Sequence, residues 1–240
     1  MNHASTRRAA IAAAAGLVLS ACGNSAADKF LSRSPDDIVK TSLEAMREVE
    51  SMRLLGIAET DSGMARFDMK INASSCVGSF DTADGGLQVI KNSDGAWFYA
   101  DEQFWNSQST TPTHAAEVRR IFSGSWVAIE GKNDWEELCD FDALLDGFKV
   151  DKVLEDNGDR IESDDIEQIG DTDAVPIEGR GGRKRATAWI DVAAPHHIVK
   201  MTLSNGSAQP DEFYLEEFGV EFVAETPDKE DIVTVPPPQS

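Results

Sequence analysis

The chain has 240 residues, with 22 basic and 43 acidic side chains and a formal net charge of −21 at pH 7. A field of that sign repels phosphate backbones, so the charge excludes a nucleic-acid partner and favours solubility. The length accommodates one or two domains, and no low-complexity linker divides the chain between Pro35 and Val235. We therefore expect a single domain over residues 35–236, followed by an extended tail at residues 237–240.

The N-terminus has the anatomy of an export signal. Arg7 and Arg8 precede an apolar run at residues 9–18 that is too short for a membrane helix, which needs about 20 apolar residues. The run leads into Leu19-Ser20-Ala21-Cys22, which resembles the lipobox of bacterial lipoproteins. The resemblance implies a signal peptide at residues 1–21 and an acylated Cys22. The alternative is an ordinary secretory cleavage at the same small residues.

Acylation of Cys22 would anchor the chain in the cell membrane, on its extracytoplasmic face. Each buried methylene contributes about 0.8 kcal/mol, so two or more acyl chains hold a protein where one barely does. Residues 22–34 are small and polar, and we expect them to form the lipidated N-terminus and a flexible tether. The Arg7-Arg8 pair leaves both the general and the twin-arginine export routes open.

Two further cysteines, Cys76 and Cys139, remain for the mature chain. An even pair in an oxidising compartment predicts one structural disulfide. The alternative is a redox-active or metal-binding pair, which usually shows close spacing such as C-x-x-C. The wide separation of these two cysteines favours the disulfide.

In chain order, the first elements are a helix and an antiparallel meander. Ser34 caps a helix predicted at residues 35–50, with Pro35 in its first position. Apolar and polar residues then alternate along a strand at residues 65–73, with residues 52–59 as its partner. Turn residues delimit two further strands at 87–91 and 96–100.

The middle of the chain predicts helices at about residues 114–122 and 134–146. Further strands follow at about residues 149–155, 159–169, 173–179, 186–192, 197–203 and 213–223. Nearly all connections are short enough for hairpins. The predicted fold class is α+β, with an open, curved antiparallel sheet, or half-barrel, and helices packed on its concave face.

This layout resembles the LolA-like lipoprotein carriers, and more specifically the LppX and LprG lipoproteins of mycobacteria and related actinobacteria. The resemblance spans residues 35–236 and is carried by short phrases. These are the lipobox at Cys22, the phrase at residues 51–54, the strand pair around Asp94-Gly95, the phrase at residues 188–191, Pro195, residues 197–203 and 213–222, and Pro227.

The resemblance implies a hydrophobic cavity between sheet and helices that accepts the acyl chains of a lipid or glycolipid. The residues expected to line it are Phe67, Met69, Ile71, Trp97, Tyr99, Trp189 and Met201. The competing interpretation treats these side chains as ordinary core. In that case the protein is an accessory or sensory lipoprotein with a filled core that binds another envelope protein.

The sequence carries no catalytic signature, so we expect neither an enzyme nor a cofactor. No G-x-S-x-G motif is present, and His196 and His197 are adjacent, which on a strand would point them to opposite faces and away from a shared metal. We therefore expect no metal site. One basic turn departs from the acidic composition and favours either an anionic partner or, as we prefer, a solvated turn. Its members are Arg180, Arg183, Lys184 and Arg185.

Overall fold

The computed structural model describes residues 26–60, 63–108, 111–129, 139–141, 161–181, 184–204, 206 and 209–234. These residues form four α-helices and thirteen strands, and all the strands belong to one sheet. The α+β class with an open, largely antiparallel sheet is therefore confirmed. No helix in the described part of the chain is long and apolar enough to cross a membrane.

Two helices precede the sheet, α1 (Ala26–Leu31) and α2 (Pro35–Arg47). Ser34 is the N-cap of α2, as predicted, because its side chain accepts a hydrogen bond from the backbone N–H of Asp37. Helix α1 corrects the prediction that residues 22–34 are a flexible tether. Phe30 of this helix is 1 % exposed and belongs to the hydrophobic core, so the folded part of the chain begins by Ala26.

The N-terminal half of the sheet is a five-stranded meander. Its strands are β1 (Ser51–Thr60), β2 (Gly63–Asn72), β3 (Cys76–Thr82), β4 (Gly85–Asn92) and β5 (Gly95–Ala100). Each strand pairs antiparallel with the next. Strand β3 was not predicted, because Gly78, Ser79 and Asp81 interrupt the apolar pattern of its sequence.

Two helices and a short strand follow the meander. Helix α3 (Glu102–Ser107) is capped by Asp101, and helix α4 (Pro112–Phe122) is capped by Thr111. Strand β6 (Trp126–Ala128) then pairs antiparallel with β5. The predicted helix at residues 134–146 and the predicted strand at 149–155 lie outside the described residues, apart from residues 139–141.

The C-terminal half contains the strands β7 (Ile161–Ser163), β8 (Glu167–Ile169), β9 (Thr172–Gly181), β10 (Lys184–Asp191), β11 (Ile198–Ser204), β12 (Asp211–Glu216) and β13 (Ile232–Thr234). The strand predicted at 159–169 is divided into β7 and β8. The strand predicted at 213–223 is wrong beyond Glu216. Glu217 and Gly219 have φ angles of 53° and 68°, which are incompatible with an extended strand.

The strand order is β13-β6-β5-β4-β3-β2-β1-β12-β11-β10-β9-β7, with β8 also paired to β9. Strand β12 lies beside β1, so the last long strand returns to the middle of the sheet and joins its two halves. The chain then crosses to the opposite edge, where β13 pairs parallel with β6. The sheet is open because its two outermost strands do not pair with each other.

The register divides the sheet into a helix-facing side and an outer side. The helix-facing side carries Met69, Val89 and Met201, which lie in one core with residues of α1 and α2. Helix α2 packs across β7, β10 and β11, whereas α3 packs on β4 and on α4. The outer side carries charged residues such as Arg53 and Lys70.

Candidate ligand site

Three phenylalanine rings form an aromatic platform on the helix-facing side of the central strands. Phe67 on β2 has its ring centroid 6.2 Å from that of Phe80 on β3 and 5.7 Å from that of Phe213 on β12. All three are only half-buried, although they pack against the hydrophobic core. An apolar surface of this kind, next to a packed core and accessible to solvent, is typical of a ligand-binding site.

Small residues make room for the platform. Gly56 on β1 lies directly opposite Phe67 in the register. A Cβ atom added at Gly56 would lie 2.5 Å from the Phe67 ring and 2.6 Å from the backbone oxygen of Glu212. The Phe67 ring can therefore lie over β1 only because position 56 has no side chain.

Burial on the helix-facing side changes from one end of the strands to the other. The closed end is where β2 ends and β3 and β11 begin, at Asn72, Cys76 and Ile198. The open end is where β1, β3 and β11 end, at Thr60, Thr82 and Ser204. Near the closed end the core side chains are almost fully buried, with Ile71 0 % and Leu215 2 % exposed.

In the middle of the sheet the same side becomes partly accessible. Along β2, half-buried Phe67 lies between buried Met69 and buried Ala65 on this side. Along β12 the side chains change from buried Leu215 to half-buried Phe213. Half-buried Leu203 on β11 extends the same surface. The platform is therefore a partly accessible patch in the middle of the sheet, bordered by the packed core.

The structure separates the seven residues predicted to line a cavity into two groups. Phe67, Met69, Ile71 and Met201 lie on the helix-facing side, where Met69, Ile71 and Met201 are buried core and Phe67 belongs to the platform. Trp97, Tyr99 and Trp189 lie on the outer side of the sheet. A single cavity between sheet and helices therefore cannot contain all seven.

Phe80 and Phe213 of the platform are absent from the seven predicted residues. Phe80 lies in the strand that the sequence pattern does not predict. Phe213 is the first residue of the strand predicted at 213–223, which is longer than the observed β12. The prediction therefore does not define which side of the sheet Phe213 occupies. The register of β2 and β3 identifies Phe80, which is paired with Phe67. The register of β1 identifies Phe213, because Gly56 is opposite Phe67 on one side and Phe213 on the other.

An ionic cluster occupies the outer side behind the platform. The Arg53 guanidinium donates two hydrogen bonds to the Asp68 carboxylate, at 2.8 and 2.6 Å, and also contacts Glu216 and Glu217. Lys70 donates to Glu217 at 2.5 Å. The hydrogen bond from Arg53 lowers the pKa of Asp68, and the hydrogen bond from Lys70 lowers that of Glu217.

A second outer cluster surrounds Lys200 on β11. Its ammonium lies 4.8 Å from the ring centroid of Trp189 and 5.0 Å from that of Tyr214, and it contacts Glu212 at 2.6 Å. Burial disfavours the charged lysine, but hydrogen bonds with Glu212 and Tyr214 outweigh it, so the Lys200 pKa is raised. Trp189 also donates to Glu167 at 2.9 Å. These contacts give Trp189 and Tyr214 a structural role on the outer side.

The two cysteines predicted to form a disulfide come together at the closed end. Cys76 begins β3, and its Cα atom lies 5.7 Å from that of Cys139, a separation typical of disulfides. Both residues belong to the core cluster, together with Phe141. The pairing fastens residues 139–141 to the start of β3. Cys22, the predicted lipidation site, lies outside the described residues.

The adjacent histidines stack on different rings at the closed end. The His196 imidazole lies parallel to the Phe30 ring of α1, with centroids 3.6 Å apart, and His197 contacts Phe218 with centroids 4.2 Å apart. Burial lowers the pKa of His197, whereas nearby Asp191 opposes this shift. Among the described residues no group of three or more histidines, cysteines and carboxylates is arranged to hold a metal ion.

A cleft of about 510 Å³ opens at the closed end between β1, β2 and the segment after β12. Glu50, Glu221 and Asn72 contribute polar groups to its lining, and Val223, which is 80 % exposed, contributes an apolar one. The cleft is separated from the aromatic platform by about half of β2, from Asn72 to Phe67. Its mixed lining does not define the chemistry of a ligand.

The basic turn joins β9 to β10 and lies at the open end. Within its described part, Arg180 and Arg185 both contact the carboxylate of Glu178. The hydrogen bond to Glu178 raises the pKa of Arg180. This local neutralisation favours the solvated turn over a site for anionic lipid.

Comparison with known proteins supports the fold. No protein-family description matches the chain, and no curated protein sequence matches it. Among solved structures, LprF from Mycobacterium bovis matches with a TM-score of 0.54 at 12 % sequence identity, over 80 % of this chain and 96 % of LprF. At that identity the likeness shows the fold alone, and the chain therefore shares the architecture of LprF.

Proposed function

We propose that this protein is a membrane-anchored extracytoplasmic lipoprotein that binds or carries a lipid through its acyl chains and has no enzymatic activity. The observation that carries the proposal is the half-buried aromatic platform of Phe67, Phe80 and Phe213 on the helix-facing side of the sheet. A monomer that leaves aromatic rings accessible beside its core has a surface that an apolar ligand can cover.

Two features support a lipidic ligand. The lipobox at Cys22 would place the domain beside a membrane, where acyl chains are abundant. The fold resembles that of LprF, and the sequence layout resembles lipoprotein carriers in which acyl chains enter the space between sheet and helices. A lipid or glycolipid satisfies both features.

Burial of acyl methylenes is the source of binding free energy that the proposal requires. Each methylene removed from water contributes up to about 0.8 kcal/mol, so ten methylenes contribute up to about 8 kcal/mol before the cost of association is subtracted. The outer side also carries an aromatic pair, Tyr99 and Trp126, with ring centroids 5.7 Å apart, but this pair lies apart from the hydrophobic core cluster. An acyl chain is therefore expected on the helix-facing side.

Native mass spectrometry of the mature chain, secreted from a lipid-rich host with Cys22 replaced by serine, tests the proposal. We expect extra mass of lipid size that disappears on denaturation. Phe80→Asp should lower the occupied fraction at least tenfold, because the bound chain would desolvate a carboxylate. Tyr99→Asp is the matched control, since Tyr99 is also half-buried on a strand but lies on the outer side.

Two results would contradict the proposal. A bare mass from every lipid-rich host would favour the accessory role, in which the protein binds another envelope protein. Equal loss of lipid in Phe80→Asp and Tyr99→Asp would show that the bound lipid does not use the platform.

A further inference from the structure

The outer side of the sheet carries a partly accessible aromatic patch that the proposed lipid binding does not use. We infer that this patch, around Tyr99 and Trp126, is a second binding site for a neutral glycan chain. The sugar rings would stack on the two aromatic rings, and their hydroxyl groups would hydrogen-bond to neighbouring polar side chains. The patch lies on the opposite side of the sheet from the aromatic platform, so this inference goes beyond the proposed function and does not depend on it.

The two rings form the apolar part of this site. Tyr99 on β5 and Trp126 on β6 are paired in the register, and their ring centroids lie 5.7 Å apart. Both side chains are half-buried, so part of each ring is open to solvent. A sugar ring presents a face of C–H groups, which packs on an aromatic ring because the negative face of the ring attracts those hydrogens. The pair therefore offers a stacking surface for a sugar.

Polar side chains continue the same row across the sheet. Gln88 on β4 is paired with Tyr99, and Ser79 on β3 is paired with Gln88. Gln88 is exposed, and neither Gln88 nor Ser79 has a side-chain hydrogen bond within the described part of the chain. An amide and a hydroxyl both donate and accept hydrogen bonds. Sugar hydroxyls use donors and acceptors alike, whereas a cation would use only the acceptors.

A notch at Gly86 adds a carboxylate acceptor to the row. Gly86 lies two residues before Gln88 in β4, on the same side of the sheet. A Cβ atom added at Gly86 would lie 3.2 Å from Oδ1 of Asp81 and 3.1 Å from Oδ2 of Asp101. Asp101 already accepts hydrogen bonds from the backbone N–H groups of Gly86 and Phe104. Exposed Asp81 has no side-chain partner among the described residues, so it can accept a hydrogen bond from a sugar hydroxyl.

The size of the patch favours a glycan over a protein partner. Neighbouring strands lie about 4.8 Å apart, so the row from Ser79 to Trp126 spans about 14 Å. Toward β2 the row ends at Asp68, which is held by Arg53 in the ionic cluster. A square of that width covers only about 200 Å², whereas a stable protein interface buries about 800 Å² on each partner. A short run of sugar rings needs no larger surface.

The charge of the patch specifies a neutral glycan. The four side chains of the row are uncharged, and they belong to a chain with a net charge of −21. An anionic glycan would be repelled by this field and by Asp81 at the rim of the row. The combination of two aromatic rings, an amide and a hydroxyl therefore fits an uncharged chain of sugars.

Affinity electrophoresis through gels that contain mannan, amylose or arabinogalactan tests the site, with the mature chain in which Cys22 is replaced by serine. We expect at least one of these neutral polysaccharides to retard the protein, and added salt to leave the retardation unchanged. Tyr99→Ala should raise the apparent Kd about fivefold or more, and Gln88→Ala about threefold. Tyr214→Ala is the matched control, because Tyr214 is also a tyrosine of the outer side but lies in β12, beyond β1.

Hydroxyl-radical footprinting locates the bound polysaccharide and does not depend on how well a variant folds. In the wild-type protein, Tyr99 and Trp126 should become protected when the polysaccharide is added, whereas Tyr214 should not. Phe80→Asp, which is expected to release lipid, should bind the polysaccharide like wild type. The failure of lipid binding and the failure of this inference are therefore distinguishable.

Several results would overturn the inference. One is the absence of retardation by all three polysaccharides, and another is an equal loss of binding in Tyr99→Ala and Tyr214→Ala. Loss of polysaccharide binding in Phe80→Asp would show that the sugars are held beside the lipid on the helix-facing side. Binding of spermidine in place of a polysaccharide, weakened by salt and by Asp81→Asn, would make the patch a cation site.

Discussion

Removal of the Cys76–Cys139 link should destabilise the protein by about 4 kcal/mol. The cysteines are separated by 63 positions, and the chain-entropy description assigns about 4 kcal/mol to a closed loop of that length. For a domain of this size each kcal/mol corresponds to roughly 2 to 4 °C, so we expect Tm to fall by about 8 to 16 °C. The variant is Cys76→Ala with Cys139→Ala, which avoids placing polar groups in the core.

Thermal unfolding followed by circular dichroism measures this shift, and the mass of the unreduced protein counts the thiols. Wild type in reducing agent should unfold at the temperature of the double variant, because both lack the link. The double variant itself should not respond to reducing agent. Two free thiols in the secreted protein, or a Tm unchanged by reduction, would refute the disulfide and leave Cys76 as an ordinary core residue.

Three further changes test the packing and charge described above. Gly56→Ala should cost about 1 to 3 kcal/mol in urea unfolding and weaken lipid binding, because the added methyl displaces the Phe67 ring; an unchanged midpoint would contradict this. Arg53→Met should cost up to about 1 kcal/mol near neutral pH, because the ion pairs that it removes are partly exposed. This difference should shrink as the pH falls below 3.8, since the lowered pKa of Asp68 gives a stabilisation that protonation removes. Burial lowers the pKa of His197 and favours its neutral form, so His197→Gln should reduce the loss of stability that occurs as the pH falls below 6.5. An unchanged dependence of stability on pH would exclude this contribution of His197.

The sequence predicts the elements whose signals are local. Ser34 and Pro35 mark the start of α2, and the alternation of apolar residues in β2 and β11 gives the side of the sheet on which Met69 and Met201 lie. The predicted helix over residues 114–122 corresponds to α4, which begins two residues earlier at Pro112. These features depend on residues a few positions apart, so a single sequence is sufficient to find them.

The side of a strand cannot be assigned when both of its faces are apolar. In β5 one face carries Ala96, Phe98 and Ala100, and the other carries Trp97 and Tyr99. Residue size favours the larger aromatic residues as the inward set, but the register places Phe98 on the helix-facing side. The smaller residues face inward here because α3 packs closely on this side, where Phe98 contacts Trp105 with ring centroids 5.7 Å apart.

Close packing of a helix also explains why Trp189 of β10 lies on the outer side and not in the predicted cavity. Ala186, Ala188 and Ile190 form its buried face, and α2 packs across that face. Alanine leaves room for a helix to approach, whereas a tryptophan there would hold the helix away. Residue size therefore indicates burial only when the distance between the packed layers is known, and that distance comes from tertiary structure.

The N-terminal segment shows why composition alone misplaces the boundary of a domain. Ala26, Ala27 and Asp28 are as small and polar as the residues of a linker, and Phe30 is the one large aromatic residue between Cys22 and Ser34. That ring is nearly fully buried and stacks on His196, more than 160 positions away in the chain. A buried aromatic residue outweighs several neighbours with no preference for order, so residues 26–31 fold with the core.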